Sequence, residues 1–430
     1  MDYRAAREFI EGKSGGIVLG LSRIAALLEE LGHPERSLKY IHIAGTNGKG
    51  SILSYMSTVL THAGYRVGRY ISPTLYSYRE RFQVDGAKIT REDYSFLAGE
   101  IAGAVKRLEA RGVSRPSVFE LETVLSFLYF KQMNCDWVVL ECGMGGRDDA
   151  TNVIPTPELA VFASISLDHM GYLGGSLEEI ASAKAGIIKE GTHAVTGRQA
   201  PEVLKILQKE CDGKQVTLTV AEPSAVVMKQ DSLNGQKFLY RNFELEISLP
   251  GSCQVENAVT AYEALKVLRQ KGLKLTDRQI REGMKQAVWN GRFTCIGTAP
   301  YFFVDGAHNP DAARKLRTSV ETYFKGRRLI YITGIFADKD YPEIIRIMAP
   351  LADRIFTIAT PGIGRALPAD RLAEAIAGVN PNVQACEGLE DAVRKAYEAA
   401  EQEDVILAFG SLSFIGGLTR IVNTYREKRT

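Results

Sequence analysis

Runs of consecutive apolar residues alternate with stretches whose apolar positions recur every three or four residues, and this alternation covers nearly the whole chain. Residues 39–44, 136–140 and 159–164 are near-continuous apolar runs, the pattern of parallel strands covered on both faces. Between and beyond them, Leu121, Val124, Leu125 and Leu128, and then Val255, Ala258, Val259, Tyr262 and Leu265, mark the apolar stripes of amphipathic helices. Such strand–helix alternation predicts an α/β fold built on a parallel sheet. The pattern changes between residues 215 and 249. There, strand-like pieces at 216–220, 225–228, 237–240 and 243–248 follow one another without helices, and Asn234-Gly235 supplies a hairpin signal. These predict a small antiparallel region. A second strand–helix series begins near Pro300, with strands expected at 301–304, 328–333, 355–359 and 405–409. The expected organisation is a larger domain over 1–291, a linker over 292–299 and a smaller domain over 300–430.

Composition narrows the function classes. Among 430 residues, 53 Lys and Arg stand against 51 Asp and Glu, a formal charge of +2 that gives no case for a nucleic-acid or membrane-surface partner. No apolar run approaches the roughly 20 residues needed to span a bilayer, and Met1-Asp2-Tyr3-Arg4 lacks the basic-then-apolar order of a signal peptide. The six cysteines are widely spaced with no C-x-x-C pair, which argues against a zinc site and a disulfide framework. A cytoplasmic location is expected.

The polar clusters fall repeatedly just after predicted strands, where open parallel sheets bind ligands. Gly45-Thr46-Asn47-Gly48-Lys49-Gly50-Ser51 follows the strand Tyr40-Ile41-His42-Ile43-Ala44 and precedes a helix expected to begin near Ile52. Glycines let N–H groups close around phosphate oxygens, a helix start favours negative charge, and Lys49 adds a cation. Gly50 separates the lysine from Ser51, a departure from the usual phosphate-loop pattern. The competing reading is a glycine-rich turn with a solvated lysine; the strand–loop–helix context favours a nucleoside triphosphate. Glu141 ends the next apolar strand and leads into Cys142-Gly143-Met144-Gly145-Gly146-Arg147-Asp148-Asp149-Ala150-Thr151-Asn152. A carboxylate there can hold Mg2+ beside phosphates, although a salt-bridged glutamate fits the same position. Asp168-His169 stands at another strand end, within reach of metal or phosphate.

Lys184 lies four residues after Ile180, on the apolar stripe of a helix expected over 176–189. Two readings stay open: the ammonium snorkels to water, or desolvation in a site makes the amine reactive. In the second series, Asn309-Pro310 reads as a helix cap and first-turn proline, which leaves Asp305 and His308 available for chemistry. Asp338-Lys339-Asp340 forms a similar cluster. Two such rims predict an interdomain cleft.

These residues together resemble the folylpolyglutamate synthase/dihydrofolate synthase family of the Mur ligase superfamily. The matching pieces run in family order: residues 42–51, Ser72-Pro73, 141–153, 166–169, 184–187, Asn257-Ala258, Gly291-Arg292, 305–310 and Gly410-Ser411. The chain departs from the family pattern at Thr74 (commonly His), Ala183 (Glu), Asn290 (Pro) and Met144 (Leu). The resemblance implies a P-loop parallel-sheet ATPase domain joined to a smaller Rossmann-like C-terminal domain, and ATP and Mg2+ as cofactors. It implies Ser72, Glu141 and His169 as metal ligands, and phosphate binding along Gly45 to Ser51, with Lys49 catalytic. Asn257, Arg292, Asp305 and His308 would contact nucleotide. Lys184 matches a lysine that is carbamylated in the family and, with His169, would act in catalysis. Ser117, Val118, Phe119, Arg147, Asp148, Asp149 and Ala150 would line the folate site. The implied substrates are L-glutamate and a reduced folate or dihydropteroate, and the expected form is a monomer.

The reaction implied is amide formation through an acyl phosphate: the acid is phosphorylated, then attacked by the glutamate amine. The alternatives are a Mur-type ligase acting on peptidoglycan precursors and an ATP-binding switch that ligates nothing.

Overall fold

The computed structural model describes residues 1–12, 20–168, 170–362 and 364–427. The chain divides into two compact units. The first comprises Met1–Val227, Phe238–Ile247 and Glu256–Ala287; the second comprises Met228–Lys237, Ser248–Val255 and Val288–Thr430.

The first unit is organised by an eight-stranded sheet. Its strands are β1 (Tyr40–Ala44), β2 (Val67–Tyr70), β3 (Phe82–Val84), β4 (Ala87–Lys88), β5 (Trp137–Glu141), β6 (Leu159–Phe162), β7 (His193–Thr196) and β8 (Leu218–Val220), in the order β4-β3-β2-β5-β1-β6-β7-β8. All pairs from β2 through β8 are parallel, while β3 and β4 add an antiparallel edge. Every residue of β1, β5 and β6 is buried. Tyr40, Tyr70, Phe127 and Phe130 belong to one apolar layer; Phe162, Ile180, Ile187, Val203 and Leu207 belong to another. Burial on both faces is why these strands read as unbroken apolar runs. Because β1 lies between β5 and β6, the loops leaving these three strands emerge side by side.

A three-stranded sheet of β9 (Val226–Ser232), β10 (Gly235–Tyr240) and β11 (Phe243–Ile247) follows, with Leu233-Asn234 joining its first two strands. The expected antiparallel pieces need one correction. Leu218–Val220 does not join this small sheet; it pairs parallel to β7 as the edge of the large one.

The second unit holds six strands, β12 (Thr294–Thr298), β13 (Tyr301–Val304), β14 (Leu329–Thr333), β15 (Arg354–Thr357), β16 (Val383–Ala385) and β17 (Val405–Phe409), ordered β12-β13-β17-β14-β15-β16. All pairs are parallel except β12 with β13. The stretch 292–299, read from sequence as a linker, therefore contains a strand. Phe293, Phe303, Leu316, Val320, Tyr331 and Leu407 lie in this unit's core. No described helix is long and apolar enough to cross a membrane.

Candidate active site

The loop after β1 is fixed from below before it can hold anything. The N–H groups of Thr46 and Asn47 both donate to the Ser164 carbonyl, at 2.8 and 3.1 Å. The Thr46 hydroxyl donates to the Ser166 carbonyl (2.9 Å) and accepts from the Ser166 N–H (3.0 Å). These groups bind the loop to the segment leaving β6. The helix starts earlier than expected, at Lys49 rather than near Ile52, and runs Lys49–His62. The N–H groups of its first residues, Lys49, Gly50 and Ser51, have no intrahelical acceptor and form the anion-facing end. Gly48 precedes them in a left-handed conformation, φ 96°. A Cβ there would stand 2.4 Å from Asn257 Oδ1, so the Asn257 side chain lies directly against the loop. Sequence distance hid that contact; the helix Ser252–Gln270 supplies it.

Two lysines reach the same loop. Lys49 Nζ donates to the carbonyls of Gly45 (3.2 Å) and Thr46 (3.3 Å), and stands 3.9 Å from Glu141 Oε1. Lys184 Nζ donates to the Gly45 carbonyl at 2.9 Å, and the residue is only 4% exposed. Snorkelling is excluded, because the amine ends on the Gly45 carbonyl and not in water. Burial, and next the Lys49 charge, lower its pKa from 10.5 to about 7. Its helix is Leu177–Ala185, shorter than expected, opened by a capping box between Ser176 and Glu179 that stabilises the helix start by about 1 kcal/mol.

Glu141 is buried at the end of β5, and its Oε2 accepts the Ser72 N–H at 3.2 Å. Ser72 and Glu141 thus converge from the ends of neighbouring strands. Carboxylate and hydroxyl oxygens are hard donors that suit Mg2+. Among the described residues no group of three or more His, Cys, Asp or Glu could hold a metal. The remaining expected ligand, His169, lies outside the described residues.

The folate-side residues split into two kinds. Ser117 is the N-cap of the helix Val118–Gln132, its hydroxyl accepting from the Glu120 N–H in a capping box. Phe119 packs against the loop after β5: a Cβ on Gly143 would lie 2.5 Å from Phe119 Cζ. That contact joins the 117–119 segment to the start of the loop that goes on to 147–150. Arg147 and Asp148 are exposed and Ala150 is buried. Asp149 is turned inward, accepting from Met144 N–H (2.7 Å), Thr151 N–H (3.0 Å) and the Thr151 hydroxyl (2.5 Å). Burial raises its pKa against the pull of these donors.

Two side chains hold this loop: Asn152, which lies within the 141–153 match but had no role assigned, and Lys189, which sequence reasoning missed. Asn152 Nδ2 donates to the carbonyls of Arg147 (3.0 Å) and Gly186 (3.2 Å), and Lys189 Nζ to those of Asn152 (2.8 Å) and Ile154 (2.5 Å). The one available signal was a polar side chain inside an apolar run, as at His42.

The second unit has its own cluster at the end of β13. Asp305 accepts from Phe293 N–H (2.8 Å) and Ala307 N–H (2.7 Å). Burial raises its pKa, and the Arg292 charge beside it works the other way. The Arg292 guanidinium lies against Gly306, and His308 Nδ1 is 2.8 Å from the Gly306 carbonyl. Asn309 caps the helix Pro310–Tyr323 as its sequence predicts. Asp338 pairs with Arg365 (2.8 Å), an exposed contact of small energetic weight.

Comparison with known proteins agrees with this geometry. Residues 43–265 match the Mur ligase middle domain, and residues 291–412 match the Mur ligase glutamate ligase domain. The dihydrofolate synthase/folylpolyglutamate synthase of Bacillus subtilis is 33% identical, over 97% of this chain and 98% of its own length. The Escherichia coli protein of the same name is 31% identical, over 96% and 93%. A structure of Mycobacterium tuberculosis folylpolyglutamate synthase complexed with ADP superposes with a TM-score of 0.89 at 31% identity, covering 98% of this chain and 99% of that one. E. coli FolC in complex with DHPP and ADP gives 0.85 at 29% identity, covering 100% and 99%. With folate enzymes matched along their full length, the peptidoglycan alternative is not favoured. The chain belongs to the folylpolyglutamate synthase/dihydrofolate synthase family of the Mur ligase superfamily.

Proposed function

We propose that the chain is an ATP-dependent ligase joining L-glutamate to the carboxylate of a reduced folate or dihydropteroate through an acyl phosphate. The observation that carries this reading is the convergence on one loop of helix-start N–H groups, the amines of Lys49 and Lys184, and the buried Glu141. A carboxylate does not acylate an amine unaided in water, because its oxygen is a poor leaving group. Transfer of the γ-phosphoryl group to that oxygen makes phosphate the leaving group. The α-amine of glutamate then attacks the acyl carbon, loses a proton, and phosphate departs.

The chain's work is positioning and charge balance. The N–H groups of Lys49, Gly50 and Ser51 grip phosphate oxygens, the Lys49 ammonium neutralises charge on them, and Asn257 contacts the nucleotide beside Gly48. Ser72, Glu141 and His169 would hold Mg2+, which would supply Lewis-acid neutralisation of the phosphates. Burial keeps a fraction of Lys184 as free amine near neutral pH, the form that takes up CO2 as a carbamate. That gives a chemical reason for a lysine in an apolar layer. The 117–119 and 147–150 segments bind the folate. The proposed form is a monomer. Six free thiols fit the reducing cytoplasm.

The test is ADP release with glutamate and each pterin acceptor, products read by mass, together with oxygen-18 in the acceptor carboxylate. The reading requires ADP release that depends on both substrates, and transfer of label into phosphate. Glutamate-independent hydrolysis without label transfer supports the switch instead.

A further inference from the structure

His42 is a polar residue in the middle of an otherwise apolar strand, and it is fully buried. Its Nε2 lies 2.8 Å from Thr151 Oγ1 and 3.0 Å from Cys142 Sγ. The Thr151 hydroxyl lies 2.5 Å from Asp149 Oδ1 and 3.6 Å from Cys142 Sγ. His42 Nδ1, on the other side of the ring, is buried and without a hydrogen-bond partner. Burial, and next the Lys189 charge, hold the ring neutral with a pKa of about 3. The result is a buried polar chain from ring to hydroxyl to carboxylate. It ends on the carboxylate whose other oxygen takes the Met144 N–H of the glycine-rich loop at 2.7 Å.

The route of this chain matters. It connects β1, which delivers the phosphate loop three residues after His42, to the loop after β5, which packs against Phe119. Packing alone does not call for it, since a leucine at 42 and a valine at 151 would fill similar space without burying polar atoms.

We infer that His42 and Thr151 are positioning residues for the acceptor acid: through Asp149 they fix the loop 143–147 relative to β1, setting the folate carboxylate against the phosphate. This rests on the ligase reading above. Neither residue touches substrate. Loss of the Thr151 hydroxyl removes the link between Asp149 and His42, so the loop loses this tie to β1 while the helix start at Lys49 keeps its own contacts.

The experiment uses the full chain with Thr151→Val, Thr151→Ser and His42→Phe variants, and measures KM for the pterin acceptor and for ATP separately. The wild type is assayed first: absence of acceptor-dependent ADP release there overturns the ligase reading itself. Given that activity, Thr151→Val is expected to raise the acceptor KM roughly tenfold, the weight of one buried hydrogen bond to a charged group, with the ATP KM within about twofold. Thr151→Ser, which keeps the hydroxyl, should return the acceptor KM to near the wild-type value. An unchanged acceptor KM, an equal rise in both KM values, or no rescue by serine overturns the inference. If Thr151→Val does not fold, His42→Phe and Thr151→Ser decide it by the same split.

Discussion

The buried amine of Lys184 makes a prediction in which stability and function move in opposite directions. Replacing it with methionine keeps the unbranched stem and removes the ionisable group. In the unfolded chain the lysine titrates near 10.5; in the folded chain burial, followed by the Lys49 charge, brings it to about 7. The folded value lies below the unfolded one, so the unfolded chain binds the proton more tightly. The resulting penalty on folding is full below about pH 7 and disappears as pH rises toward the unfolded value. At about 1.4 kcal/mol per pKa unit the full penalty is about 5 kcal/mol. Methionine also gives up the 2.9 Å hydrogen bond to the Gly45 carbonyl, a loss of about 1 kcal/mol. The net gain for Lys184→Met is therefore about 4 kcal/mol near pH 6, shrinking to about 1 kcal/mol near pH 9. Urea unfolding followed by tryptophan fluorescence in a Trp289→Phe background leaves Trp137, on β5, to report the first unit. Bicarbonate is excluded from the buffers because a carbamate would replace the amine. The same variant should lose ligase activity. A methionine variant no more stable than wild type near pH 6, or a gain that does not change with pH, would refute the claim that a desolvated amine sits on the phosphate loop.

Three further outcomes follow from the geometry. Gly48→Ala meets a left-handed backbone, costing about 1 kcal/mol, and puts a methyl 2.4 Å from Asn257 Oδ1; the ATP KM should rise about tenfold in steady-state assays while the acceptor KM holds, and an unchanged ATP KM would contradict the placement of Asn257. Glu141→Gln keeps the shape but removes the anion, so the Mg2+ concentration for half-maximal activity should rise at least about tenfold; a Mg2+ titration identical to wild type excludes Glu141 as a metal ligand. Gly146→Ala drives a Cβ to 2.7 Å from the Lys184 carbonyl and 2.9 Å from that of Ala183, which are backbone atoms that cannot swing aside. The loop must shift, with a stability loss of about 1–3 kcal/mol by urea titration and a raised acceptor KM, and normal values for both would show the loop free to move.

What the sequence determined by itself is local. The unbroken apolar runs at β1, β5 and β6, the strand-to-helix turn Gly45 to Ser51 and the cap Asn309-Pro310 are legible because each depends on neighbours within a few residues: doubly covered strands must be apolar, a helix start needs its cap, a left-handed turn needs its glycine. Tertiary structure decided whatever depends on distant partners. Leu218–Val220 reads as one more short strand beside a hairpin, and only pairing with β7 assigns it to the large sheet. Residues 294–298 look like a linker until β13 pairs with them. The two readings of Lys184 have one sequence pattern between them; a carbonyl 139 residues away chose the site over water. His42 gave a hint, a polar atom in an apolar run, but its meaning depended on Thr151, 109 residues on. Hydrogen bonding and desolvation act through space, so burial of a polar group can be suspected from local pattern, while its partner is fixed only when the chain is folded.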